Sequence, residues 1–199
     1  TLRSDEMTLS KASTSTEDYD SYFDIWAWND LNQQSTTASF GWRRYYHAIY
    51  IANYIIENQT KITEATQDEI SQLVGEAYMM RAYCHFLLVN LYADAYTHCN
   101  PATTRGIPLS LEANVNNVLT CSSVEQVYQQ VIADIKEAKT RLKVAAWDEG
   151  YTYRFNQISA DALLARVYLY KGDWQDALAE AKVVMEKHGD LEDLTDSKV

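Results

Sequence analysis

The sequence predicts an all-α fold, a tetratricopeptide-like helical repeat superhelix. Three observations predict it. Apolar residues recur at helical spacing from residue 44 to about residue 188. The runs open on helix-capping patterns. Six glycines and two prolines in 199 residues supply too little turn punctuation for a β-sandwich or barrel.

Taken in order, residues 1–43 are polar, rich in Ser, Thr, Asp and Asn, with aromatic islands and no sustained period. They read as an irregular lead segment with short helical turns around 17–32. Ile49, Ala52, Asn53 and Ile56 share one face and predict a helix over 43–58. Thr66 and Glu69 form a capping box that opens a long helix over 66–95, with the stripe Ile70, Leu73, Val74, Ala77, Arg81, Cys84, Leu88. Pro101, Gly106 and Pro108 mark a loop. Ser122 and Glu125 read as a second capping box, opening a helix over 122–142 whose end carries Lys139, Arg141 and Lys143. After an aromatic loop at 144–155 come helices over 157–171 and 174–188, hinged at Lys171-Gly172-Asp173, with Asp173 as N-cap and Gly189 as stop.

The last pair follows the tetratricopeptide pattern: Leu164-Ala165, Tyr168, Gly172, Trp174, Ala177, Ala181. Alanines 165, 177 and 181 let two antiparallel helices approach, while Tyr168 and Trp174 are expected to fill the space around the turn. One such repeat cannot bury its own apolar face. The helices at 43–58 and 66–95 are its expected neighbours, with 122–142 closing the stack. Residues 44–189 thus form the helical domain, and 190–199 read as the start of a further C-terminal part. Both ends look cut, so the expectation is a fragment of a larger domain.

Composition excludes several functions. The net charge of −11 repels phosphate backbones, which disfavours nucleic acid as a partner. No apolar run approaches the ~18 residues of a membrane span. Cys84, Cys99 and Cys121 match no zinc-ligand spacing and read as free thiols, with a Cys99–Cys121 disulfide as the alternative outside the cytoplasm. No phosphate loop, catalytic triad order or H-E-x-x-H string is present, and no cofactor or metal is expected.

An ordered set of motifs resembles SusD/RagB-like proteins. It comprises Trp42-x-x-x-Tyr46-x-x-Ile49-x-x-x-Asn53, Gly75-Glu76-Ala77 with Arg81-Ala82, and Gly106-Ile107-Pro108-Leu109. It continues with Val124 to Ala138 around Asp134-Ile135, then Ala160 to Tyr170 followed by Trp174 and Ala177; Ser4-Asp5-Glu6 fits as well. The resemblance implies a lipid-anchored, non-enzymatic, glycan-binding protein at the cell surface of the outer membrane in Bacteroidota. Its implied partners are an oligosaccharide and a SusC-like TonB-dependent transporter. The lipidated N-terminal cysteine and the longer C-terminal half of that pattern are absent from this sequence.

Candidate ligand residues follow from sugar chemistry. A pyranose ring presents an apolar C–H face and a rim of hydroxyls, so flat rings beside amides and carboxylates suit it. Trp26, Trp28, Asn29, Asp30 and Asn32 supply that mixture in the lead segment, from which ligand contacts in the resembled family often come. Trp147 and Tyr151, with Tyr153 nearby, offer a second platform in the 144–155 loop. Covering about 70 Å² of sugar face contributes about 1.7 kcal/mol per ring. Millimolar affinity needs about 4 kcal/mol, so a site needs several rings plus hydrogen bonds. Trp42 is assigned to packing, and Tyr96, His98 and Asn100 rank below these. Glu76, Arg81, Asn53 and Arg166 read as a satisfied buried network that fixes helix register. Two other functions compete: a peptide- or protein-binding tetratricopeptide scaffold, which the long loops at 96–121 and 144–155 oppose, and a glycoside hydrolase, for which no carboxylate pair is marked.

Overall fold

A computed structural model of the chain describes residues 8–12, 14–29 and 41–189. Asp30, Asn32, the Ser4-Asp5-Glu6 motif and the stretch 190–199 lie outside the described residues. The chain divides into two compact units between Trp42 and Arg43.

The first unit holds α1 (Thr16–Trp26). Ser15 caps it, its Oγ accepting from the Asp18 N–H at 3.1 Å, and Glu17 and Asp18 favour the positive N-terminal end. The helix stops well before residue 32 because the backbone turns left-handed at Trp28, with φ 57°.

The second unit is helical: α2 (Trp42–Asn58), α3 (Gln67–Tyr92), α4 (Val124–Arg141), α5 (Gln157–Lys171) and α6 (Trp174–Lys187). The all-α expectation holds. The addition is one antiparallel pair of very short strands, β1 (Arg105–Pro108) and β2 (Cys121–Ser123), in the loop between α3 and α4. Gly106 permits it: a Cβ there would stand 3.0 Å from the Ser122 carbonyl oxygen and 3.1 Å from the Val124 nitrogen.

The capping box at Thr66 forms as expected, with Glu69 Oε2 accepting from the Thr66 N–H at 2.8 Å. The second box sits one residue later than expected. Ser122 remains extended within β2, so Ser123 and Gln126 make the reciprocal bonds, at 3.2 and 2.9 Å. A third box, Asn156 with Ser159, opens α5. Asp173 precedes α6, but its carboxylate binds Lys171 Nζ at 2.7 Å instead of capping the helix.

Packing runs α3–α4–α5–α6, so α4 lies inside the stack and does not close it. Its buried residues explain the place: Val124, Val127, Tyr128, Val131, Ile135 and Ala138 meet α3 and α5 together. Helix α2 contributes Ile49 to the same core. The hinge between α5 and α6 uses Gly172 at φ 86°. Trp174 does not fill the turn, being 64% exposed. Thr97 packs closest to the turn, its Cγ2 lying 3.2 Å from where a Gly172 Cβ would be, and Trp174 only edges it with Cζ2 at 4.0 Å. Arg166 is exposed, outside the network proposed for it.

Of the other three, Glu76 is half-buried and pairs with Arg154 instead, while Arg81 and Asn53 are buried together with Asp134. Arg81 donates from Nε and Nη2 to the two oxygens of Asp134 at 2.8 and 2.6 Å, and from Nη1 to Asn53 Oδ1 at 2.9 Å. Asn53 Nδ2 in turn donates to the carbonyls of Ser110 and Glu112 at 3.1 Å. One buried ion pair thereby joins α2, α3 and α4 and holds the 109–112 chain against them. Cys84, Cys99 and Cys121 are free. Burial pushes the Cys84 thiol up to about 11, so it is an inert core residue.

Candidate functional site: two groups of exposed rings

In the first unit the candidates sit on the end of α1. The chain closes there in a Schellman arrangement: the Asn29 N–H donates to the Asp24 carbonyl at 2.9 Å and the Trp28 N–H to the Ile25 carbonyl at 3.3 Å. Trp28 occupies the left-handed position where glycine is favoured, because an L side chain crowds the following carbonyl. Its indole is 64% exposed. Trp26 is half-buried, with its ring 6.0 Å from Phe23. Asn29 donates to Asp24 Oδ1 at 3.0 Å, which fixes its amide. A rigid turn therefore presents one large ring beside an oriented amide.

In the second unit the candidates lie on the 144–156 loop, and α3 sews that loop shut. Gln72 is buried, and its Oε1 accepts from the Lys143 and Val144 N–H groups at 2.7 and 3.0 Å. Its Nε2 donates to the Phe155 carbonyl at 3.2 Å. The Gln157 N–H closes the base on the Val144 carbonyl at 3.0 Å. One turn along α3, Glu76 grips Arg154 with two bonds of 2.6 and 3.1 Å. Those bonds keep Arg154 charged, raising its pKa above the usual value.

Arg154 then lies over the Trp147 ring at 4.0 Å, and Trp147 Nε1 donates to the Phe155 carbonyl at 2.9 Å. Trp147 is thus a pinned wall and not an open platform. The open rings are Tyr151 and Tyr153, 53% and 79% exposed. They continue from Trp147 at centroid spacings of 6.3 and 6.5 Å. Beside them lies a hollow of about 280 Å³, lined by Trp147, Thr152, Asn156, Ile158, Ser159 and His188.

The structure therefore joins Trp147 with Tyr151, and Trp28 with Asn29, each pair in its own unit. Sequence reasoning missed Arg154, Asn156 and His188. Asn156 was findable, since an Asn three residues before a Ser at a helix start is a capping signal. His188 lies 41 positions from Trp147 along the chain, and nothing in the sequence linked them. Tyr96 is tied into the frame: its hydroxyl donates to Glu125, and Lys171 Nζ lies 5.4 Å from its ring centre. Among the described residues no His, Cys, Asp and Glu group could hold a metal ion, and no helix is long and apolar enough to cross a membrane.

Comparisons with known proteins agree on one family. The sequence model of SusD-like proteins, described as starch-binding and associating with the outer membrane, matches residues 2–169. SusD-like protein P38 of Formosa agariphila is 31% identical over 153 residues, which is 75% of this chain and 26% of that protein. The chain thus spans about a quarter of the length of the curated relatives it matches. A SusD superfamily protein from Bacteroides thetaiotaomicron superposes with a TM-score of 0.74 at 25% identity, over 94% of this chain and 39% of that one. A laminarin-binding SusD-like protein superposes with a TM-score of 0.62 at 27% identity, over 72% of this chain and 29% of that one. The chain belongs to the SusD-like family.

Proposed function

We propose that this protein captures glycans at the cell surface without cleaving them, as the binding subunit of a TonB-dependent outer-membrane import system, with the full-length protein lipid-anchored in the outer membrane. The observation that carries the reading is Trp28. An exposed indole stands on a left-handed backbone that glycine would adopt without strain. Backbone strain of this kind, about 1–3 kcal/mol, persists where a side chain is needed in that place. A flat ring beside an oriented amide suits the apolar face and hydroxyl rim of a sugar. Trp26 and Asn29 belong to this proposed ligand surface, Asp30 and Asn32 remain candidates from their sequence alone, and Trp147 and Tyr151 belong to a second surface.

Two further facts support the reading. A relative of the same fold binds laminarin. The charge of −11 suits a protein whose ligands are neutral and whose surface repels anionic polymers. Titration calorimetry of the intact protein against laminarin and starch oligosaccharides tests it. We expect binding that Trp28→Ala weakens by about twentyfold, the loss of one 1.7 kcal/mol platform. Binding of peptides with no oligosaccharide bound would replace this reading with the scaffold one.

A further inference from the structure

We infer that the hollow beside Trp147 is a separate seat for one neutral hexose unit of a glycan, with Tyr151 and Tyr153 supporting the units that follow. The inference rests on the glycan reading above and adds a place and a ligand class to it.

The wall is preorganised. Trp147 is held by its bond to the Phe155 carbonyl and by Arg154, which Glu76 holds in turn. Binding a ligand against a fixed ring avoids the entropy of ordering that ring. The volume, about 280 Å³, falls just below the ~300–1,000 Å³ of drug-sized sites and suits a single sugar ring. The polar lining has unused capacity. Asn156 Oδ1 is engaged by the Ser159 N–H at 2.8 Å, while the capping bond leaves its Nδ2 donors for a ligand. Thr152 and His188 add hydroxyl and imidazole groups of the kind that meet sugar hydroxyls. The exposed Tyr151 and Tyr153 rings extend the wall outward.

Charge selects the class. The loop carries Asp148 and Glu149, both exposed. Its one cation, Arg154, is paired with Glu76, and the neighbouring Lys187 is paired with Asp161 at 3.0 Å. Among the described residues no Lys or Arg lines the hollow to meet a carboxylate or sulfate, so uronic and sulfated sugars are disfavoured.

Three variants of the intact protein test this. Ala146 also lines the hollow and is exposed, so Ala146→Phe fills it. Asn156→Asp keeps the helix cap but replaces the amide donors with a carboxylate. Tyr151→Ala removes one platform. Each is titrated with laminarihexaose, maltohexaose and oligogalacturonate, with thermal melts to confirm folding. We expect at least one neutral hexasaccharide to bind wild type, each variant to weaken it by about ten- to twentyfold, and oligogalacturonate not to bind. If the neutral sugar binds all three variants as it binds wild type, this seat is wrong while the glycan reading stands. If wild type binds neither neutral sugar, the glycan reading itself fails. Oligogalacturonate bound by wild type and lost in the variants would overturn the neutral class.

Discussion

Replacing Trp28 by glycine should make the turn more stable and the protein a weaker binder. An L residue in the left-handed region costs roughly 1–2 kcal/mol, and glycine avoids that cost while giving back about 0.5–1 kcal/mol through the entropy of the unfolded chain. Alanine at the same place keeps the strain and loses the same ring. Whatever packing the indole makes is therefore lost equally in both, and Trp28→Gly should exceed Trp28→Ala in stability by about 1 kcal/mol. The Asn29 amide, bonded to the Asp24 carbonyl across this turn, reports it directly. Its hydrogen exchange should be about fivefold slower in the glycine variant than in the alanine variant. Calorimetry should show the two variants equally impaired toward oligosaccharide, by about twentyfold. Equal exchange rates would refute the strain. Retained affinity in either variant would refute the role of the ring.

Other consequences are structural. Asp134→Ala leaves the Arg81 guanidinium buried without its carboxylate, so unfolding free energy should fall by about 3–5 kcal/mol in urea titrations, whereas Arg81→Met with Asp134→Leu together should cost far less than the single change. A double variant less stable than the single one would contradict this. Gly106→Ala drives a methyl onto the backbone of Ser122, Ser123 and Val124, which cannot yield as a side chain would, and a loss of about 1–3 kcal/mol is expected. His85 gives a pH dependence. Burial, then the Arg81 guanidinium, pushes its pKa down from 6.5 to about 3, so the folded protein keeps it neutral. Between those values the unfolded chain binds a proton that the native chain does not, and stability falls as pH drops through that window. From pH 6.5 to about 5 the loss attributable to His85 is about 1–2 kcal/mol, and His85→Gln should flatten that slope. An unchanged slope in the variant would show that His85 is not the group responsible.

Periodicity and capping patterns together located the five helices of the second unit, although α3 is buried on most of its circumference and α6 buries only Ala177. Boundaries erred where a local partner overrode the pattern. Ser122 matched a capping sequence as well as Ser123 does, and it was the strand continuing through Ser123 that moved the helix start one residue on. Trp174 fitted the repeat signature, yet Thr97, brought in by a loop 77 residues upstream, packs closer to the turn than the indole does. The Arg81–Asp134–Asn53 network was half legible: polar residues on apolar stripes announce a buried partner but do not name it. Ring-bearing segments were visible as composition, whereas the state of each ring was not. Nothing in the 144–156 sequence says that Arg154 covers Trp147 and leaves Tyr151 and Tyr153 open, since that depends on Glu76, 78 residues away.

The crystal structure of the intact protein soaked with the neutral hexasaccharide that it binds best is the most direct measurement. It should show all six sugar units joined, with a pyranose face against the Trp28 indole or against the rings of the 144–156 loop. A shortened sugar, or an intact one held with no aromatic ring beneath it, would contradict capture by exposed rings on a rigid helical frame.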